Sequence, residues 1–218
     1  MAESSLTIQQ LISQACEQDL LKYGDSFRGV GYTKSAAEAA QRYGLMLGVV
    51  REVGEKVSLL DFGCGLAHML DYIEQGAARG NIEYTGLDLS ARYLDAAKTR
   101  HPHGTFIQMD VLESDEDLPD FDYITLNGVF NYRGPIPENA MTRYWKALIS
   151  VVFRHCRRGM AFNVMSRIVD WQRDDLFHLS IDSMAQFVAF SLSRHFIIRH
   201  DYGGHEYTVY VYREASAS

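Results

Sequence analysis

The sequence predicts a doubly wound α/β fold: a mostly parallel sheet of seven strands, helices on both faces, and an antiparallel strand at the C-terminal end. Three observations predict it. From residue 56 onward, short apolar runs alternate with helical patterns, which is the signature of βαβ units. Such crossovers are right-handed almost without exception, so helices cover both faces of the sheet. Finally, the last two apolar runs, 196–200 and 207–212, are joined only by Asp201-Tyr-Gly-Gly-His205. That link is too short for a helical crossover, so these strands must be antiparallel.

Each element has its own signal. Leu6, Leu11, Ile12, Ala15 and Leu20 recur at helical spacing and predict a helix over 5–23. Gly24, Gly29 and Gly31 then mark a loop. Ala36, Ala39, Ala40, Tyr43, Leu47 and Val50 predict a helix over 35–53. A buried strand follows at 57–61, then a tight glycine turn and a helix at 67–78. Next come a strand at 82–87, a helix at 90–100, and strands at 105–108 and 121–126. A long helix at 138–156 leads to a strand at 159–164, and a helix at 183–192 precedes the final pair. Residues 1–34 read as a helical cap, 35–213 as the main domain and 214–218 as a tail.

Composition narrows the function. The chain has 218 residues, 47% of them hydrophobic and 22% charged, which suits one soluble domain. Its formal charge is −7, opposite to the footprint that phosphate backbones require, so a nucleic-acid partner is not expected. No apolar run is long enough to span a bilayer, and the first residues lack the basic and apolar regions of a secretory signal. Cys16, Cys64 and Cys156 are scattered and odd in number, which argues against a disulfide framework or a zinc site. The expected setting is cytoplasmic.

The informative motif is Asp61-Phe-Gly-Cys-Gly65, placed at the end of the first strand. In an open α/β sheet, ligands bind beyond the carboxyl ends of the strands. Gly63 and Gly65 let the backbone turn sharply and approach a ligand. Asp88 ends the second strand, where a carboxylate can accept from both ribose hydroxyls. The dinucleotide fingerprint would need a third glycine at position 68; His68 stands there and opposes a nicotinamide cofactor.

Leu59-Leu-Asp-Phe-Gly-Cys-Gly65 resembles the first motif of class I S-adenosylmethionine-dependent methyltransferases, with Ala67 where the family usually has glycine. The resemblance runs over 35–213. It implies that Asp88 binds the adenosyl ribose beside Leu89, and that Asp110, followed by Val111, lies near the adenine amino group. It also brings Asp61, Gly63, Cys64, Gly65, Asn127 and Gly128 to the cofactor, S-adenosylmethionine, which leaves as S-adenosylhomocysteine. Tyr32 and Arg42 could close over its carboxylate.

The acceptor belongs on the loops after strands four to six. Asn127-Gly-Val-Phe130 lacks the Asp/Asn-Pro-Pro-Tyr/Phe cluster of nucleic-acid amino methyltransferases. A looser likeness is to small methyltransferases of surface-polysaccharide and natural-product pathways, carried by Phe162-Asn163-Val-Met-Ser166 and His200-Asp-Tyr202. It implies a small polar acceptor, met by Asn131, Tyr132, Asn163, Arg167 and Tyr202. His178, His200 and Asp201 are the candidates for removing a proton. The insert 170–178 suits a partial lid. The alternative is a non-catalytic subunit that binds the same nucleoside for a partner enzyme. Trp145, Trp171 and the thirteen tyrosines could form a homodimer face or fill the core. The basic run 154–158 reads as helix-end cations, and the acidic run 113–117 as a solvated loop.

Overall fold

The computed structural model describes residues 6–26, 28–30, 35–52, 54–77 and 81–216. Helix α1 (Ile8–Tyr23) begins at Thr7, whose hydroxyl accepts from Gln10 N while the Gln10 side chain accepts from Thr7 N. This reciprocal cap satisfies two donors that a helix start leaves open. Thr7→Ala is expected to cost about 1 kcal/mol of stability in urea unfolding. An unchanged midpoint would mean that α1 frays in the native state. Helix α2 (Ala36–Leu47) starts at Ser35, which caps Glu38 N, and ends six residues before the expected boundary.

Seven strands form one path, in the order β3-β2-β1-β4-β5-β8-β7. They are β1 (Lys56–Phe62), β2 (Asn81–Asp88), β3 (Thr105–Gln108), β4 (Phe121–Leu126), β5 (Cys156–Ser166), β7 (His195–Arg199) and β8 (Glu206–Tyr212). A two-residue strand, β6 (His178–Leu179), pairs with the end of β5, so the sheet has eight strands rather than seven. Two residues are too few to show a period, which is why the sequence hid it. As expected, β8 runs antiparallel to both β5 and β7. The order reverses between β1 and β4, whose carboxyl ends both point at the crevice.

The core is split by the sheet, and the strand period does the splitting. Leu60, Phe62, Ile124, Leu126, Met160 and Phe162 bury on one face, with Trp145 and Leu148. Val57, Leu59, Tyr123, Ala161 and Tyr210 bury on the other, with Tyr43 and Met46. Successive residues of one strand thus face different helices, and both faces must be apolar. Helix α5 (Glu138–Arg154) buries Met141, Tyr144, Trp145, Leu148, Ile149, Val152 and Phe153, one face at helical spacing. Trp145 is fully buried, so it fills the core rather than forming a dimer face.

Helices α4 (Ala91–Arg100) and α6 (Ile181–Ser191) start on Ser90 and Ser180, each capping a main-chain N–H three residues on. Helix α3 (His68–Tyr72) is shorter than expected: the chain passes into a π turn at Ile73–Ala77, where Gly76 turns left-handed at φ 75°. Helix α5 stops at Arg154, so Arg157 and Arg158 belong to β5 and not to a helix end. They pair with Asp122, Glu52 and Glu55, while Arg154 meets Asp115 at 2.6 Å. The basic and acidic runs therefore answer each other in part.

Candidate active site

The turn after β1 is pinned to the end of β2. Gly63 N and Cys64 N both donate to Leu87 O, at 2.7 and 3.0 Å. Gly63 and Gly65 sit at φ 71° and 52°, and a Cβ on Gly63 would come within 2.8 Å of Val129. At the place of the family's third glycine, Ala67 takes φ 57°, the single left-handed non-glycine among the described residues. An L-residue there carries a cost of about 1–2 kcal/mol. Asp88, partly buried, accepts from Gly65 N through one oxygen and from Ser90 N through the other, both at 2.9 Å. Burial pushes its carboxyl above the ordinary range, against the pull of those main-chain bonds.

Asp61 is 3% exposed in β1 and accepts from Tyr84 Oη at 2.9 Å and Thr125 Oγ1 at 3.4 Å. Burial raises its carboxyl to about 7, despite those bonds. Cys64 lies beside it, and burial pushes its thiol well above its usual range, away from the thiolate that nucleophilic chemistry needs.

A cavity of about 710 Å³ opens over this turn, within the range of small-molecule sites. Its walls include Asp61, Gly63, Cys64, Gly65, Asp88, Leu89, Asp110, Val111, Asn127 and Gly128, as well as Arg42. Tyr32 falls outside the described residues. Asp110 accepts from Gln9 Nε2 at 3.0 Å and from Leu112 N at 3.1 Å, so α1 is tied to it directly. Gln9, Ile12, Ser13, Cys16 and Asp19 lay one face of α1 along the cavity. Their three-to-four spacing was visible in the sequence, but nothing there said which face met a ligand.

The far end of the cavity is built by two loops stitched together. Arg133 N and Gly134 N donate to Asp175 O, Phe177 N donates to Asn131 O, and Tyr132 bridges to Leu176. Asn131, Tyr132, Trp171, Asp175, Tyr202 and His205 face the space. Trp171 Nε1 donates to His205 Nε2 at 3.1 Å, with the rings 4.7 Å apart. Arg173 is held by Asp175. Neither His205 nor Glu206 stood out in the sequence. The signal for the second was a charge at the head of a buried strand.

The expected acceptor and base residues do not all come together. Asn131, Tyr132 and Tyr202 line the cavity, whereas Asn163 lies buried behind it, accepting from Gly128 N at 2.7 Å. Arg167 is off the wall: its Nε donates to His178 O and its Nη2 pairs with Glu138. His200 is exposed and packs on Tyr207, and Asp201 is exposed and held by Arg199, which lowers its carboxyl. The hairpin link does reach the ligand edge, but its later residues, 202–206, are the ones on the wall. His178 is buried, with Nδ1 2.7 Å from Ser166 O and Nε2 lacking a hydrogen-bond partner among the described residues. Its ring meets Trp171 edge to face at 6.2 Å.

Away from the cavity, Asp71, Glu74 and His101 lie within 4.8 Å of one another, but Arg100 already engages Asp71 at 2.6 Å. No helix of the described residues is long and apolar enough to cross a membrane.

Comparison with known proteins agrees with this geometry. Residues 60–159 match the family model described as a methyltransferase domain. "Putative methyltransferase Rv1506c" of Mycobacterium tuberculosis is 30% identical over 165 residues, 73% of this chain and 94% of that protein. Among solved structures, the magnesium protoporphyrin IX methyltransferase ChlM of Synechocystis PCC 6803, crystallised with bound S-adenosylmethionine, superposes with a TM-score of 0.64. It is 12% identical, over 98% of this chain and all of that one. A TehB-like S-adenosylmethionine-dependent methyltransferase of Corynebacterium glutamicum gives 0.57 at 11% identity, over 90% of this chain and 97% of that one. With the glycine turn pinned between β1 and β2 and an acid at the end of β2, these likenesses place the chain in the class I S-adenosylmethionine-dependent methyltransferase family.

Proposed function

We propose that this methyltransferase acts on an oxygen or nitrogen of a small polar acceptor, sugar-like or a natural-product intermediate, in the cytoplasm. The observation that carries the reading is the single cavity running from Gly63, Asp88 and Asp110 to the aromatic and polar end at Trp171, Asp175 and His205. That end is lined by side chains of two loops tied to each other, and its mix of rings and polar groups suits a small polar molecule. In this reading, residues 1–34 form a helical cap, 35–213 the S-adenosylmethionine-binding methyltransferase domain and 214–218 a tail.

The residues present fit the cofactor. Among the described residues, Asp19, Asp88 and Asp110 line the cavity in addition to the acids paired with Arg42 and Arg173. That excess of negative charge complements a sulfonium ion. Asp88 would hold the ribose, Asp110 the adenine and Arg42 the carboxylate, with Tyr32 assigned beside Arg42 from the sequence alone. When bound, S-adenosylmethionine supplies an electrophilic methyl group, and the chain's task is alignment and removal of the acceptor's proton. None of the candidate bases His178, His200 and Asp201 is on the cavity wall; His178 sits behind Trp171, with Nδ1 bonded to Ser166 O, and a role as base would need Trp171 to move aside.

Calorimetric titration with S-adenosylhomocysteine, with NAD in parallel, tests the cofactor reading. Micromolar binding of the first and none of the second is expected, and binding of neither would overturn it. Labelled S-adenosylmethionine incubated with a small-molecule extract should then give a labelled small product. Tight binding with no transfer would favour the non-catalytic subunit instead.

A further inference from the structure

We propose that Glu206 is a positioning residue for the amino-acid end of the cofactor, acting through Arg42. The inference rests on the reading of the cavity as an S-adenosylmethionine site and goes beyond it to a residue on the antiparallel strand. Glu206 opens β8, opposite Met165 of β5, and is 2% exposed. A carboxylate at that depth is costly unless every oxygen is answered. Here each is: Oε1 forms an ion pair with Arg42 Nε at 2.7 Å, and Oε2 accepts from Asn163 Nδ2 at 2.9 Å and Asn131 Nδ2 at 3.1 Å.

The three donors come from α2, from β5 and from the loop after β4, so one carboxylate ties three separate elements at the cavity wall. Apolar packing would join them at least as well, because a buried ion pair adds little net stability over a hydrophobic replacement. What it adds is orientation. A guanidinium paired with a buried, fixed carboxylate is held in one place on the wall, and a planar guanidinium is suited to meet a second carboxylate in two parallel bonds. The same network reaches the loop after β4 a second time, since Asn163 Oδ1 accepts from Gly128 N, where φ is 76°. Glu206 thereby ties the cation to the loop after β4.

The test compares two ligands that share the adenosine and differ at the amino-acid end. S-adenosylhomocysteine carries that end and 5′-methylthioadenosine lacks it. By calorimetry, Glu206→Gln is expected to weaken S-adenosylhomocysteine about tenfold or more. The affinity for 5′-methylthioadenosine should change less than about twofold. In an Arg42→Ala background the same replacement should add almost nothing, as two residues acting in one chain are not additive. Arg42→Lys, which keeps the charge but not the planar guanidinium, should reproduce the loss for S-adenosylhomocysteine alone and serves if Glu206→Gln does not fold. Equal weakening of both ligands would reduce Glu206 to a structural role and overturn the proposal. So would full retention of S-adenosylhomocysteine affinity in either variant. Failure of the wild-type protein to bind either ligand is a separate result, and it would overturn the cofactor reading and this proposal with it.

Discussion

Asp88→Ala is expected to weaken S-adenosylhomocysteine binding by about 1–3 kcal/mol, roughly tenfold to a hundredfold, measured by calorimetry on folded protein. Two losses add. The carboxylate can no longer accept from the ribose, and Gly65 N and Ser90 N lose the partner that holds each at 2.9 Å. Asp88→Asn separates them, because its carbonyl keeps one of those main-chain bonds while its amide turns a donor toward the other. Asn should therefore fall between wild type and Ala in stability yet resemble Ala in affinity. Wild-type affinity should also decline on acidification sooner than an ordinary aspartate would allow, because burial raises the Asp88 carboxyl. Unchanged affinity in a folded Ala variant would remove Asp88 from the site.

The second large effect is on stability. Asp61→Asn is expected to gain on wild type as pH rises, by about 2–4 kcal/mol between pH 4 and pH 8. Burial lifts the folded-state carboxyl to about 7, whereas the unfolded chain titrates near an ordinary value of about 3.9. Between those values the folded state keeps a proton that the unfolded state has lost, so rising pH favours unfolding. Above pH 7 the folded protein holds a buried charge, eased by Tyr84 and Thr125. Asn cannot ionise and escapes that slope. Urea unfolding of both proteins at pH 5 and pH 8 measures it. A difference that stays constant with pH would mean that Asp61 is solvated or otherwise neutralised in the folded state.

Much of this molecule was legible in the sequence. Strands β3 and β4 fall on the expected residues, because each is a short apolar run with a clear break on either side. Helix ends were less legible. Helix α3 gives way to a π turn and α5 stops before Cys156, since a helix ends where capping and packing permit, whatever the periodicity. The cofactor end of the cavity was readable for a physical reason. A glycine turn and a strand-end acid are local features, and the topology of an α/β sheet places them at one edge.

The acceptor end was not. Trp171 meets His205 across 34 residues of chain, and Asn131 meets Glu206 across 75. His200 and Asp201, which looked reactive in sequence, are exposed and off the cavity wall, while Glu206, which did not stand out, is buried at the centre of a network. The sequence by itself determined the sheet, its antiparallel closing strand and the residues of the glycine turn, because those follow from local periodicity and chain connectivity. Only the tertiary structure decided which polar side chains share the cavity. That depends on the directions in which distant strands and loops present them, and no local pattern encodes it.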